Sequence, residues 1–555
     1  METGNDNRKK RFCLLAGCGL GLLFALLLIP LSNIDPSNTG WVIGGGGDNL
    51  QHYLGWRFFR DSRWTRYLLF MRDLNYPVGT SVIVTDSNPL FCLIFKLFRN
   101  FLPPEFQFNG IWLLTSWILL GFFAAEVGWR LTRSRLLTLC GVGFALINPV
   151  ILQRALIHDT LTAHWLILAA VFLFLHEDKP WNPAGWFLLT EAALLIHIYF
   201  IPMIAFVFAL QLIRMLIGKR SFGRIILLIF VFSASLILGY YVWGYVYILP
   251  QSGSYGELSM NLNAFFNPDG ASLFLADRPS LPLQYEGFNY WGLGLFVLVT
   301  AGLIAGGRHG SARMIPYMVP VPLLILLAAS HEGYFDLYQL YSIGLPEKIR
   351  SWLSVFRSSG RLVWPLYYLA LYASLRAFSR CACRKGLLDA AVCVCLILQI
   401  ADLSGFCLET ARRFRQPGNL PAEIPEGFEE MIPEDTVSLY VSDGDAKDTD
   451  ALALFAADRH MTYNRIANAR SIKKVFGGDE LEMDTLSCGQ VRPGAVYLFL
   501  SPDYPEELNT CGELIIETIG RWTLIRYPDI ELKAFCNTGM GYVTDFLQMN
   551  MSIPE

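Results

Sequence analysis

Long apolar runs separated by short polar segments dominate the first 405 residues of the chain. About 20 apolar residues in a helix cross a hydrocarbon core of about 30 Å, so we interpret about eleven of these runs as membrane spans. They lie near 12–31, 108–129, 136–152, 161–176, 184–199, 200–217, 222–246, 289–306, 313–330, 361–378 and 386–405. The pattern predicts a mainly α fold, a polytopic transmembrane helical bundle.

Two segments decide the predicted orientation of the bundle. The run from Phe12 to Leu31 follows a basic stretch and exceeds a usual signal-peptide core, which favours a retained first span over a signal peptide. The apolar segment 88–102 is short and contains Lys96 and Arg99, so we interpret it as a half-depth or interfacial helix. The basic clusters between spans then all face the cytoplasm, as the positive-inside rule requires. Long outer loops are predicted at 32–107, 247–288 and 331–360.

Residues 406–555 differ sharply in composition from the apolar part. They contain 25 acidic and 13 basic residues, a net charge of −12, whereas residues 1–405 carry +9. Short β-like runs at 437–441, 496–500 and 522–527 alternate with helical patterns at 451–458 and 471–476. We predict two domains, a transmembrane domain over 1–405 and an extracytoplasmic α/β accessory domain over 406–555; a second active site in the latter is the alternative.

Composition narrows the class of protein. The chain is 53% hydrophobic and only 16% charged, which excludes an ordinary soluble enzyme and a disordered chain. Of its 12 cysteines, four lie in the predicted external part: Cys407, Cys488, Cys511 and Cys536. An extracytoplasmic compartment permits disulfides, and Cys488–Cys511 is the preferred bridge among three pairings.

The first outer loop contains the most informative polar residues. Asp48 follows a glycine run and stands where a helix N-cap would stand. Apolar residues then recur at helical spacing: Leu50, Tyr53, Leu54 and Phe58. With His52 and Arg57 between them, this pattern predicts an amphipathic helix at the membrane interface. Asp48 is either a functional carboxylate or only the cap of that helix.

Ionisable residues also stand at the predicted outer end of the third span. Arg154, His158 and Asp159 occur within six residues beside a long apolar run. Charged groups at membrane depth usually face a cavity, which favours a functional site over a plain outer loop. His197, alone at another outer end, is interpreted as a packed residue more readily than as a functional one.

The last outer loop adds a second set of polar residues. His331 and Glu332 stand at its start, and Arg357 and Arg361 stand near its end. The two arginines are four apart and share one face if that segment is helical. Paired guanidinium groups suit a phosphate or pyrophosphate, either of a substrate or of ordinary lipid.

The order of these motifs resembles the GT-C superfamily of integral-membrane glycosyltransferases, and in particular the bacterial DUF6311 proteins. The stretches that carry the resemblance are Gly47-Asp48-Asn49-Leu50-Gln51-His52-Tyr53, Asn75-Tyr76-Pro77-Val78-Gly79-Thr80 and Phe356-Arg357-Ser358-Ser359-Gly360-Arg361. The resemblance implies a bacterial inner-membrane protein with its C-terminal domain in the periplasm. It implies that Asp48 is the acidic residue of the active site, that Asp159 is a second acidic position and that Arg357 and Arg361 lie near a lipid phosphate. A Trp-Trp-Asp triplet typical of oligosaccharyltransferases is not found, which argues against peptide glycosylation.

The expected reaction is inverting transfer of a sugar from a polyprenyl-phosphate donor to an extracytoplasmic glycan, lipid or protein, with no nucleic acid involved. Asp48 is the expected general base, and desolvation at a membrane interface would raise the pKa of such a carboxyl. Asp159 and His158 would orient the acceptor or bind an optional divalent cation, Mg²⁺ or Mn²⁺. The expected substrate-binding residues are His52, Arg154, His331, Glu332, Arg357 and Arg361. A transporter or flippase of lipid-linked glycans and a non-catalytic scaffold are the competing hypotheses.

Overall fold

The computed structural model describes residues 4–45, 47–176, 182–249, 255–306, 316–381, 385–416, 418, 421–466, 470–477 and 480–528. Helices make up 60% of the chain, which confirms the mainly α prediction. Two compact units are present. The first comprises 1–71, 80–420 and 467–473, and the second comprises 72–79, 421–466 and 474–555.

The first unit is built mainly from helices, joined by short turns and by several longer loops. In its first half they are Gly4–Leu28, Leu31–Ile34, Gly40–Ile43, Gly47–Asp61, Pro89–Leu97, Asn109–Thr132, Arg135–Leu146, Pro149–Ile157, Trp165–Phe174, Pro183–Ile196, Phe200–Ile217 and Phe222–Val242. In its second half they are Leu293–Gly306, Pro320–Ala329, Glu347–Leu353, Trp364–Arg380 and Lys385–Arg415. Two small antiparallel pairs accompany them: Phe70–Met71 with Thr80–Ser81, and Glu332–Phe335 with Tyr338–Ser342.

Among the described residues, six helices are long and apolar enough to cross a membrane. They are Asn5–Leu28, Asn109–Thr132, Arg135–Ile157, Phe200–Ile217, Phe222–Val242 and Gly386–Arg415. Four of the other predicted spans correspond to shorter apolar helices, Asp159–Phe174, Pro183–Ile196, Leu293–Ile304 and Pro316–Ala329. The chain therefore has the helices expected of a membrane protein, and the count of eleven spans stays a prediction.

A bend divides the third predicted span. Asn148 ends the first half, and its side-chain oxygen accepts a hydrogen bond of 2.9 Å from the backbone N–H of Val150. Pro149 occupies the first turn of the next helix, where its missing N–H costs nothing. The second half, Pro149–Ile157, thus starts in a new direction and carries Arg154.

The segment after the first outer loop forms a helix of nine residues, Pro89–Leu97, as the short-helix prediction required. Its Lys96 is nevertheless buried rather than interfacial. The ammonium group donates to the Ser62 hydroxyl at 3.0 Å and lies 3.8 Å from the ring centre of Phe59 and 4.6 Å from that of Trp64. Cation–π contact and one hydrogen bond hold this charge inside the protein.

The second unit contains a five-stranded mixed sheet. In spatial order the strands are Thr462–Tyr463, Ser438–Val441, Ala495–Phe499, Trp522–Arg526 and Ile515–Ile519. The first three are parallel and the last two are antiparallel additions. The helix Ala446–Asp458 connects two parallel neighbours and buries Leu452 and Phe455, while the short helix Phe428–Met431 precedes the sheet. The three predicted strands and the first predicted helix are confirmed.

Two predictions for this part need comment. The helix Lys385–Arg415 runs past the expected domain boundary at 405, and the second unit resumes at 421. Residues 471–476 form no helix, so that prediction is wrong; Ile472 forms an isolated antiparallel bridge with Ile248. Backbone groups on either side of Ile472 form hydrogen bonds with the segment around Ile248, and these replace the hydrogen bonds of a helix. The Cys488–Cys511 bridge is present, while Cys536 lies outside the described residues.

Glycines allow the first helix to approach Asn109–Thr132 closely. A Cβ atom on Gly17 would lie 2.5 Å from the carbonyl oxygen of Gly121, and one on Gly21 would clash with the backbone of Trp117. Gly19, between them on the same helix, has no atom within 4 Å of its Cβ position. The two backbones can therefore make contact only because residues 17 and 21 are glycines and carry no side chain.

We expect Gly21→Ala to destabilise the first unit by about 1–3 kcal/mol, because the added methyl overpacks a backbone contact. The matched variant Gly19→Ala should be neutral or stabilising by up to about 1 kcal/mol, since alanine is the better helix former. Thermal unfolding of the purified protein in detergent measures both. Equal effects of the two substitutions would contradict the proposed close packing.

Candidate functional site

The helix Gly47–Asp61 is buried on almost all sides, contrary to the prediction of an amphipathic interfacial helix. Residues 52–60 are all buried, including Arg57 and Arg60. Both guanidinium groups donate to the carbonyl oxygen of Pro104, and Arg60 also donates to that of Pro103 at 2.8 Å. The polar side of this helix was expected to be hydrated, but its arginines form hydrogen bonds with the carbonyl oxygens of Pro103 and Pro104 instead of water.

Asp48 lies in the first turn of this helix and is exposed. It is inside the helix, so it does not occupy the N-cap position that the sequence suggested. The position suits a carboxylate because the first turn carries the positive end of the helix dipole. The carboxylate is near enough to His52 to help raise the pKa of that imidazole. Exposure also means that the structure does not provide the desolvation expected of a buried base.

Five side chains form a histidine–aspartate cluster: His52, Asp86, His158, Asp159 and His197. His158 Nε2 lies 3.4 Å from one Asp86 carboxylate oxygen, and His197 Nε2 lies 3.6 Å from the other. His52 Nδ1 is 3.5 Å from Asp159. The ring centres of His52 and His158 are 4.7 Å apart, and those of His158 and His197 are 5.1 Å apart.

Neighbouring groups fix the orientation of three members of the cluster. The Asn109 amide donates to Asp159 at 2.8 Å. The hydroxyl of Thr160 is 2.9 Å from His158 Nδ1, and the backbone N–H of Tyr199 donates to His197 Nδ1 at 3.2 Å. Because His197 Nδ1 accepts a hydrogen bond, a neutral His197 carries its proton on Nε2, which faces Asp86.

The pKa values of the cluster residues are shifted in different directions by burial and by neighbouring charges. Burial would raise the pKa of the Asp86 carboxyl, but the imidazoles of His158, His197 and His52 outweigh burial and lower that pKa. Burial lowers the pKa of His158 and of His197. Burial would also lower the pKa of His52, yet Asp159, Asp86 and Asp48 together raise it. The cluster thus combines an ionised Asp86 with imidazoles in unlike environments.

A buried carboxylate, Glu286, joins two arginines. Arg154 Nη2 lies 3.0 Å and Arg361 Nη2 lies 2.7 Å from the same Glu286 oxygen, and all three side chains are buried. The two guanidinium groups lower the pKa of Glu286 despite its burial. We call these residues the arginine–glutamate triad. It carries a net charge of +1 away from water.

Close backbone contact between two turns positions the triad. Glu286 belongs to the 3₁₀ turn Pro282–Gly287, and Arg361 belongs to the 3₁₀ turn Ser359–Val363. A Cβ on Gly360 would lie 2.5 Å from the Cα of Gly287, so only glycine allows this approach. The turns therefore meet backbone to backbone, which brings the carboxylate of one to the guanidinium of the other.

The triad adjoins the cluster through Tyr199. The Arg361 guanidinium lies 4.9 Å from the centre of the Tyr199 ring, two residues from His197. Arg361 also contributes to lowering the pKa of both His158 and His197. Cluster, triad and Asp48 are therefore parts of one charged site.

The remaining predicted residues lie in other places. His331 and Glu332 line a cavity of about 580 Å³ together with Tyr255, Ser259, Gln284 and Arg350 among others. Gln284 belongs to the same 3₁₀ turn as Glu286, so this turn contributes one residue to the cavity and one to the triad. Arg357 is half-buried and follows the 3₁₀ turn Ser354–Phe356. Arg357 and Arg361 do not share a helix, so the prediction of a common helical face is wrong.

Sequence reasoning missed three residues of the site. Asp86 and Glu286 were not among the candidate residues, and His197 was interpreted as a packed residue. A signal existed for Glu286, because it is the only charged residue between Arg278 and Arg308, and a carboxylate in such surroundings is costly unless it is paired. For Asp86 and His197 the signal lies only in their approach to His158, which is distant from both in sequence.

One nitrogen each of His52 and His158 and a carboxylate oxygen of Asp86 lie within 4.8 Å of one another. This is the only group of three or more such donors found among the described residues. Two imidazoles and a carboxylate form a mixed N/O donor set, which can hold a divalent cation.

The sequence model of the DUF6311 family, described as a domain of unknown function, matches residues 18–404. The match covers well over half of the chain, so the chain belongs to this family. No curated protein matches the sequence.

We expect Glu286→Gln to destabilise the first unit by about 3–5 kcal/mol, because it leaves two buried guanidinium groups without a countercharge. The control is Glu409→Gln, which breaks the exposed ion pair with Arg412 and should change stability by less than about 1 kcal/mol. Unfolding free energies in detergent measure both. A small effect at Glu286 would mean that the triad is not buried as described.

Proposed function

We propose that this DUF6311 protein is a membrane glycosyltransferase that moves a sugar from a polyprenyl-phosphate-linked donor to an acceptor outside the cytoplasm. One observation carries the proposal. An exposed carboxylate, Asp48, is near enough to the buried Arg154 guanidinium to interact with its charge, and Arg154 shares the Glu286 carboxylate with Arg361. Base and anion-binding groups are the two elements that glycosyl transfer from a phosphate requires.

The triad suits the phosphate that leaves the donor. Its two guanidinium groups share one carboxylate, so positive charge remains in a site with little water to screen it. Arg154 Nε is buried and has no hydrogen-bond partner within the described residues. That donor, together with the net charge, would stabilise the negative charge that develops on the phosphate oxygen.

Asp48 suits the acceptor. In the proposed step, the acceptor hydroxyl oxygen attacks the anomeric carbon of the sugar while its proton passes to the Asp48 carboxylate. The bond between the anomeric carbon and the phosphate oxygen breaks, and its electron pair stays on the polyprenyl phosphate. A single displacement of this kind inverts the anomeric configuration. The energy comes from the lipid donor, so no cytoplasmic nucleotide sugar is required.

We assign the cavity beside the turn Pro282–Gly287 to a sugar of the acceptor or donor. Tyr255 and Tyr334 offer aromatic rings, and His331, Glu332 and Arg350 offer hydrogen-bonding groups. Pockets that bind small polar ligands combine apolar surface with a few such groups. The proposal places the candidate spans in the bacterial inner membrane and the second unit, as an accessory domain, in the periplasm.

The expected result for Asp48→Asn is a fall in turnover of about 10²–10⁴-fold, the usual contribution of a general base. The matched control is Asp61→Asn at the other end of the same helix, which is also exposed and should retain turnover. The assay follows release of polyprenyl phosphate from a lipid-linked sugar by the protein in liposomes. Transport of the lipid with its sugar–phosphate bond intact would favour a flippase and overturn the proposal, as would full turnover in Asp48→Asn.

We expect Glu332→Gln to raise the KM of the sugar substrate about 10–100-fold with little change in kcat, because a charged hydrogen bond to the sugar is lost. Tyr338→Phe, on the neighbouring strand and exposed, is the control. A lowered kcat with unchanged KM would argue against a binding role for this cavity.

A further inference from the structure

His52 presents a buried imidazole that the protein leaves unsatisfied. Its side chain is 3% exposed, and neither ring nitrogen has a hydrogen-bond partner within the described part of the chain. A buried polar group without a partner costs about 1–3 kcal/mol, so such a group calls for an explanation. Nδ1 faces Asp159 at 3.5 Å, and Nε2 makes no hydrogen bond to any described residue.

Three atoms that could ligate a metal ion, one of them from this imidazole, lie close together. His52, His158 and Asp86 bring two nitrogens and an oxygen within 4.8 Å of one another. Ligand atoms about 2.0–2.1 Å from a tetrahedral ion are roughly 3.4 Å apart. His158 Nε2 and the Asp86 oxygen are already 3.4 Å apart.

Each of these three residues also has a partner on its far side. Asp159, itself held by the Asn109 amide, stands behind His52 Nδ1. The Thr160 hydroxyl stands at His158 Nδ1. His197 Nε2 stands at the Asp86 oxygen that does not face His158. Groups of this kind orient metal ligands and set the histidine tautomer.

We propose that His52, Asp86 and His158 bind one divalent transition-metal ion of the Zn²⁺ class. Imidazole ligands favour transition metals, whereas Mg²⁺ prefers oxygen ligands and retains its waters. The donor set therefore selects against the Mg²⁺ ion considered from sequence. Asp86 is 22% exposed and provides the opening to the surface. Three protein ligands leave a coordination position for water or a substrate oxygen, as in catalytic zinc sites.

This inference goes beyond the proposed transferase activity and does not depend on it, because metal binding is measured without turnover. The full chain, purified in detergent with a histidine-free affinity tag and stripped with EDTA, is loaded with Zn²⁺ or Co²⁺. We expect one equivalent of either metal per chain after gel filtration. A large excess of Mg²⁺ should not displace it. X-ray absorption of the Zn²⁺ form should show nitrogen and oxygen ligands only.

Substitutions at the ligands distinguish this site from accidental binding elsewhere. His52→Asn, Asp86→Asn and His158→Asn should each lose the stoichiometric metal. Thr160→Val keeps all three ligands and should weaken binding about 10–100-fold, the usual effect of losing a group that orients a ligand. The matched control is His164→Gln, since His164 is equally buried but bonds to Tyr368 instead of the cluster.

Three results would overturn the proposal: substoichiometric Zn²⁺ in the unmodified protein, displacement by Mg²⁺, or sulfur ligands in the absorption spectrum. Unchanged loading in all three ligand variants would do the same. The spectrum and the Mg²⁺ competition use the unmodified chain, so they decide the question even if a ligand variant fails to fold.

Discussion

The burial of Glu286 between Arg154 and Arg361 is the constraint on which the rest of the site depends. None of the three charges is tolerable inside the protein alone, and together they still leave one positive charge. The pairing ties a helix of the first half, Pro149–Ile157, to two turns of the second half. Residues 132 and 75 positions apart in the sequence are thereby fixed within hydrogen-bond distance.

The position of the histidine–aspartate cluster follows from this constraint. Pro149–Ile157 ends directly before His158, so the helix that brings Arg154 to Glu286 also sets where His158 and Asp159 begin. Arg361 lies against Tyr199, whose backbone N–H bonds to His197. The triad therefore fixes two of the three imidazoles through single short segments. Only His52, on the buried helix Gly47–Asp61, comes from an independent element.

Local signals predicted the fold well and the site in part. Apolar run length identified the helices, and short β-like runs identified three strands of the second unit, because both patterns depend only on residues that are neighbours in the sequence. The short helix at Pro89–Leu97 was expected, but the burial of its Lys96 was not, since Phe59 and Trp64 come from elsewhere in the chain. For the same reason the helix containing His52 was expected to meet water, whereas backbone carbonyls of residues 103 and 104 cover its polar side. Arg154 and His158 were singled out as ionisable residues beside an apolar run, and Arg361 as one of two paired arginines, but the pairing of both arginines with Glu286 became visible only in the tertiary contacts.

The triad and the histidine–aspartate cluster carry net charges of opposite sign, and this difference restricts the orientation in which a ligand can bind. The triad carries an excess positive charge, while Asp48, Asp86 and Asp159 give the side of the cluster an excess of negative charge when its imidazoles are neutral. A ligand with an anionic phosphate at one end and a hydroxyl beside it would be held in only one direction, with the phosphate at the guanidinium groups and the hydroxyl at the carboxylates. A divalent cation in the cluster would offset the negative charge without weakening the triad, because its ligands are not the residues that pair with the arginines. The proposed transferase step uses Asp48 and the two arginines, whereas the proposed metal site uses His52, Asp86 and His158. Because the two proposals use different side chains, they are compatible with each other.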